Sequence, residues 1–323
     1  MTISQKPQSL AYAADLNDYI IDSDASITFD VKKGNRFILK ETYSPDGHFS
    51  IRTHRIGRFL ADGLWGRWLE GTSIVQDKVM DDFAFLINGA VDTTSKVIAS
   101  RCRVNEVPAS LQALTLSNYV TVNIAAPFYI SAMVDGNSQI TAVVTDSNGD
   151  TYTVVLYSHV GTSAVVTVDA SPSRVASESK VSNIYSYVIA GVKIVVDHTR
   201  YLDLHSFRFM NNFECPETVT ATGSCITKGS QKSETAFMDG VERKFRISIQ
   251  DEYTVNSGVI FSQNDYILWH ELISARQVQA LIDGRWIDII IKKSKYERSY
   301  KKNLLKSVEL TYTVADPNDI AEI

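Results

Sequence analysis

The sequence predicts a mainly β protein: antiparallel β-sandwich domains, jelly-roll-like or meander, with one short helix in the C-terminal domain. Three observations carry this. Apolar residues alternate with period two along most of the chain, as in strands with one buried and one wet face. Between such runs stand Asn88-Gly89, Asp239-Gly240 and Asp283-Gly284, dipeptides that tolerate the positive φ angles of tight hairpin turns. Helical periodicity is confined to short stretches, which excludes a doubly wound parallel sheet with a helix between successive strands.

The elements follow in order. Ile27, Phe29 and Val31 alternate with Thr28 and Asp30, and Lys33-Gly34-Asn35 turns the chain into a strand lined by Phe37, Leu39 and Tyr43. Ser44-Pro45-Asp46-Gly47 is the next turn, because proline presets φ and glycine closes the bend. Phe49, Ile51 and Thr53 continue the same face, which predicts a three-stranded meander. Over 56–69 the spacing of Ile56, Phe59, Leu60 and Leu64 predicts a short helix carrying Trp65 and Trp68. Strands resume at 82–87 and 97–104, and one helical turn is expected over 109–116. From Tyr119 the pattern is almost pure β, through Val120, Val122, Ile140, Val144, Val154, Val166 and Val168.

Residues 171–182 are the most polar stretch and read as a linker, whereas 185–196 form a long strand or hairpin centred on Gly191. Strands are expected at 218–221, 235–238 and 243–249. A helix follows over about 263–275, with Ser262 or Asn264 as its cap and Leu268–Leu272 and Trp269–Ile273 as i,i+4 pairs. A hairpin at 278–291 and a closing strand of Val308, Leu310, Tyr312 and Val314 complete the chain. The expected division is a β-sandwich region over 1–208, with a split into two sandwiches near 110 as the finer alternative. A β-rich domain over 209–323 follows it.

Composition sets outer limits. With 44% apolar and 21% charged residues the chain has ordinary globular character, and a net charge of −5 argues against a whole-chain nucleic-acid footprint. No apolar run reaches the roughly 18 residues of a membrane span, so no membrane partner is expected. Ala11-Tyr12-Ala13 mimics a signal-peptidase site, but the apolar stretch before it is too short, and the first eight or so residues read as a loose arm. Cys102, Cys215 and Cys225 show no repeating spacing and read as thiols, with a Cys215–Cys225 bridge left open.

Chemistry is sparse. No phosphate loop, nucleophile elbow, zinc-protease motif or C-x-x-C is present, so no catalytic residue, metal ligand or cofactor is assigned and the chain is not expected to be an enzyme. Asp146-Ser147-Asn148-Gly149-Asp150 opens like a calcium loop, but Thr151 and Tyr157 stand where such a loop needs glycine and glutamate, which favours a hairpin turn. Asp197, His198, Asp203 and His205 lie close in sequence, but the odd spacing of the histidines places them on opposite faces of a strand. Glu252 with Glu271, or Asp22 with Asp24, are carboxylate pairs of the kind glycoside hydrolysis uses.

Two features remain as candidate binding surfaces. The segment 292–302 places Lys292, Lys293, Lys295, Arg298, Lys301 and Lys302 around Tyr296 and Tyr300, with Glu297 as its one acid. It reads as a solvated hairpin or as a contact to an acidic partner subunit; nucleic acid is not expected as a partner. Trp65 and Trp68 are a candidate glycan platform, joined by Tyr129 and Trp286, against the plainer reading of a plug over a sandwich.

Three runs carry a family resemblance. The opening KPQSLAYAADLNDYII with GNRFILKETYSPDGHFSI, the later FRFMNNFECPETVTATG with DGVERKFRISIQDEYTVNSGVI, and the closing VQALIDGRWIDIIIKKS with LLKSVELTYTVADPND resemble tail- or baseplate-type structural proteins of tailed bacteriophages and prophages of the Bacteroidetes. The resemblance covers both ends of the chain; the middle, about 110–200, matches only in its β pattern. It implies a virion component of tail, baseplate or collar, made in the host cytoplasm. Such a component works through contacts with other virion proteins and with copies of itself, in rings or trimers. No functional residue transfers from it. A carbohydrate-binding adhesin that meets a host-surface glycan is the first alternative, and a polysaccharide hydrolase the second.

Overall fold

A computed structural model describes residues 1–295 and 307–316, with side chains except at 230–232 and 245–250. Among the described residues the chain is mainly β: 23 strands, three α-helices and one short 3-10 turn, gathered into five sheets.

The N-terminal part packs two sheets face to face. One has five strands in the order Leu10–Tyr12, Ala90–Ile98, Met80–Ile87, Ile27–Lys33, Arg36–Tyr43; the other has three, Thr2–Gln5, Ile20–Asp22, Ser50–Arg52. Phe29, Val31, Phe83 and Phe85 of the first sheet and Ile21 and Ile51 of the second share one buried cluster. Tyr19 sits between them, its ring 5.3 Å from that of Phe29 and 5.9 Å from that of Phe85. The hairpin at Asn88-Gly89 forms as expected, with φ of 51° and 80°.

The middle part repeats this two-layer scheme. Five strands run in the order Tyr119–Asn123, Val192–Asp197, Ile184–Ile189, Gln139–Asp146, Thr151–Ser158. They face a sheet of Tyr129–Val134, Ala164–Asp169 and Ser73–Val75 across a core that includes Ile130, Val144, Val168 and Tyr187. The C-terminal part is a single seven-stranded sheet in the order Pro216–Ala221, His205–Met210, Val278–Ile282, Arg285–Lys295, Glu309–Val314, Val241–Asn256, Cys225–Met238. Its core of Phe207, Phe209, Val255, Leu310 and Tyr312 is closed by Trp269 and Leu272. Those two lie on α3 (Gln263–Ser274), the third helix after α1 (Ile56–Ala61) and α2 (Pro172–Ser179).

Several expectations need correction. The meander of 27–53 is broken: Arg36–Tyr43 pairs with Ile27–Lys33, but Ser50–Arg52 crosses to the other sheet and pairs with Ile20–Asp22. The turn at 44–49 supplies the change of direction, with Phe49 at φ 57°. The N-terminal arm is likewise a strand, since Thr2–Gln5 pairs with Ile20–Asp22, and Tyr12 is in the core. Two strand pairs are parallel, Leu10–Tyr12 with Ala90–Ile98 and Tyr119–Asn123 with Val192–Asp197, in an otherwise antiparallel fold.

The polar stretch 171–182 contains α2 rather than a linker. Pro172 opens it at a position where a missing N–H costs nothing, and Val175 is buried. The Arg174 guanidinium ties it down by donating to the carbonyls of Thr72, Leu156 and Asp169. Trp65 and Trp68 lie beyond the end of α1. Residues 109–116 form turns, with Ala113 bridging to Ala132, instead of a helical turn. The strand His205–Met210 runs through the junction expected at 208/209.

Candidate assembly surface

The most conspicuous surface is a two-stranded ribbon. Cys225–Met238 and Val241–Asn256 pair along their whole length around the Asp239-Gly240 turn, whose φ values are 52° and 74°. Among the described residues only the base, Tyr253–Asn256, also pairs with the rest of the sheet, through Glu309–Tyr312. From the Lys228–Glu252 pair to the tip the two strands bond only to each other among the described residues. At about 3.4 Å per residue this free part projects roughly 35 Å.

Within its free part residues 228, 229, 233–244, 251 and 252 are exposed or half-buried. Its tip is apolar: Phe237 is 77% exposed, Met238 52% and Val241 54%. A lone hairpin is marginally stable in water, and Cys225–Met238, the outermost strand of its sheet, leaves a row of backbone groups unpaired. An arrangement of this kind gains stability when a second surface covers it.

The basic segment leaves the same sheet at its other end. Glu309 pairs with Asn256 on one side and Lys295 on the other, whereas the ribbon departs past Val314, on the side of the Asp283-Gly284 turn. Lys292, Lys293 and Lys295 are exposed at the end of Arg285–Lys295. Tyr296, Arg298, Tyr300, Lys301 and Lys302 lie outside the described residues.

The aromatic candidates separate. Trp68, Tyr129 and Trp286 converge on the buried Arg208, whose guanidinium stacks 4.8 Å from the ring centres of both tryptophans. Tyr129 meets Trp286 edge-on at 6.5 Å. Arg208 is further held by Gln279 Oε1 at 2.6 Å and by the Leu69 carbonyl. Trp65 stands apart from this cluster and takes Lys78 over its ring at 4.8 Å.

The remaining candidates fall at separate places. Asp146 closes the hairpin between Gln139–Asp146 and Thr151–Ser158, its Oδ1 accepting from the amides of Asn148 and Asp150. His198 Nε2 bonds to the Ile184 carbonyl, while burial lowers the pKa of His205, whose Nε2 has no partner among the described residues. No group of three potential metal ligands occurs among the described residues. Glu252 lies on the ribbon and Glu271 is buried on α3, so they share no cleft. Asp22 pairs opposite Thr2 at the end of Ile20–Asp22 and Asp24 follows in a bend, both exposed.

Sequence reasoning missed a polar hub where the cores meet. The loop between His205–Met210 and Pro216–Ala221 sends Phe213 and Cys215 into the first cluster, with Phe213 5.4 Å from Tyr12. Asn211 Nδ2 donates to Leu114 O and Glu217 Oε2, and Asn211 Oδ1 accepts from the amides of Phe213 and Cys215. Asn212 Oδ1 accepts from the amides of Arg101 and Cys102, while its own amide donates to Glu271 Oε1. Burial, then the charge of Glu271, pushes Glu217 up to about 8, and burial pushes Glu271 up to about 7. The Asn211-Asn212 dipeptide was the available signal, since two adjacent amides suit a loop that must satisfy several backbone groups. All three cysteines are free thiols: Cys102 exposed, Cys215 buried, Cys225 half-buried.

No family model matches the chain, and no curated protein matches it. A chain from a solved structure described as "Tail of empty GTA particle computed with helical refinement, C6 symmetry" is similar over 31% of this chain and 83% of its own length. The identity is 13% and the TM-score 0.23, a likeness too slight to support an argument about fold or role. No helix among the described residues is long and apolar enough to cross a membrane.

Proposed function

We propose that this chain is a structural subunit of a virion, in the tail, baseplate or collar of a tailed bacteriophage, and that it acts through subunit contacts rather than catalysis. The observation that carries the assembly reading is the ribbon: roughly 35 Å of hairpin with an open edge and an apolar tip. Phe237, Met238 and Val241 at that tip are more than half exposed. The ribbon and Lys292–Lys295 leave opposite ends of one sheet, so a ribbon from one copy meets a different surface of the next. Contacts of that head-to-tail kind close into rings or continue as stacks. The phage setting, and within it the Bacteroidetes, rests on the three resembling runs of sequence.

Sedimentation velocity on the purified chain tests the reading. Wild type is expected to sediment as an oligomer that grows with concentration, and the double variant Phe237→Asp/Val241→Asp to sediment as a monomer with unchanged circular dichroism. A wild type that stays monomeric and fails to bind tail proteins from the same particle would contradict it.

A further inference from the structure

A second surface carries a different chemistry. A cleft of about 630 Å³ opens between α1, the 3-10 turn Ala13–Asp15, the segment 99–103 and the loops at Glu214 and Arg276. Five arginines line it: Arg55, Arg58, Arg101, Arg103 and Arg276. They come from three separate stretches, 55–58, 101–103 and 276, of a chain whose net charge is −5, so neighbouring sequence alone does not explain their meeting.

The floor is made of small residues, among them Ala13, Ala14, Gly57, Ala61 and Ala99. Gly57 is required there, since a Cβ would fall 1.7 Å from the Ala13 carbonyl oxygen. Small side chains below and long cationic ones above leave room for a guest.

The cleft also contains three carboxylates, and two are already engaged. Asp18 accepts from the amides of Arg55 and Ile56 at 2.9 Å each. Glu214 pairs with Arg101, whose guanidinium also donates to the carbonyls of Met210 and Asn211. Asp62 is the third; Arg55, Arg58, Arg103 and Arg276 complete a cleft of five guanidinium groups against three carboxylates, with Arg276 as well as Arg101 acting on Glu214. No side chain of these four has a hydrogen-bond or ion-pair partner among the described residues. Gathering like charges is unfavourable unless an anion neutralises them, and the guanidinium fork suits oxygens of carboxylate and phosphate groups.

We propose that this cleft binds a compact polyanion bearing two or more phosphate or carboxylate groups, with Arg55, Arg58, Arg103 and Arg276 as its contacts. Its volume is that of a small-molecule site. The site is separate from the ribbon and does not depend on the assembly reading.

Calorimetric titration of the full chain with tripolyphosphate and with citrate, at fixed ionic strength, tests it. Saturable binding is expected, absent with acetate, and reduced on the order of tenfold for each of Arg58→Glu and Arg276→Glu. Arg36→Glu, an exposed arginine on another sheet edge, should leave it unchanged. Phenylglyoxal labelling of wild type read by mass spectrometry removes any dependence on variant folding: either polyanion should protect Arg55, Arg58, Arg103 and Arg276 but not Arg36. Binding of tripolyphosphate alone assigns the site to phosphates, and of citrate alone to carboxylates. Equal responses to acetate, or labelling unaffected by both polyanions, would overturn the proposal.

Discussion

At the scale of residues, the hub at 211–217 is where chemistry and stability meet. Glu217 is buried with Thr115 Oγ1 donating to its Oε1 at 2.7 Å and Asn211 Nδ2 to its Oε2 at 2.9 Å. Those bonds favour the carboxylate, but burial and the neighbouring Glu271 outweigh them, so the folded pKa lies above the ordinary 4.5. A raised carboxyl pKa means the folded state binds the proton more tightly than the unfolded chain. Its stabilising effect is fully present below about pH 4.5 and is lost as pH rises towards 8. Glu217→Gln keeps an acceptor for Asn211 and a donor for Thr115 without the charge. Urea denaturation should show the variant more stable than wild type at pH 8 by about 1–2 kcal/mol and equal to it at pH 4.5. None of this was legible in the sequence, because carboxylates at 217 and 271 become neighbours only when a loop, a strand and α3 pack together.

At the scale of elements, α3 and the hairpins were readable and the crossings between sheets were not. Ser262 Oγ accepts from the Asp265 amide and Asp265 Oδ2 accepts from the Ser262 amide, a reciprocal cap that decides between Ser262 and Asn264, the two caps the sequence offered. Ser262→Ala should therefore cost about 1 kcal/mol in chemical denaturation. The Asn88-Gly89, Asp239-Gly240 and Asp283-Gly284 turns form at positive φ, as their short-range chemistry requires. By contrast α1 takes its cap from Asp18, 37 residues away from Arg55, and α2 offers only Pro172, Val175 and the half-buried Ala176 to the interior. A cap supplied from afar and a helix with so narrow an apolar face leave little periodic signal. The meander failed for a related reason. Alternation shows which face of Ser50–Arg52 is buried but not which strand lies beside it.

At the scale of the whole molecule, α3 joins two of the three apolar clusters, giving Leu268 to the second and Trp269 and Leu272 to the third, while Phe213 and Cys215 tie the loop after His205–Met210 to the first. Val219 packs against both the second and the third. Among the described residues this body leaves the ribbon uncovered, and on the proposed assembly a neighbouring copy covers it. Its strands were legible as alternation, but its projection was not: only the register shows that Tyr253–Asn256 alone is shared with Glu309–Tyr312. The most direct test places a photo-crosslinking amino acid at position 237 of the purified chain and maps the products by mass spectrometry. Joined peptides from two different chains, reproducibly at one surface, are the expected result. Crosslinks confined to single chains, or none, would contradict assembly through the ribbon.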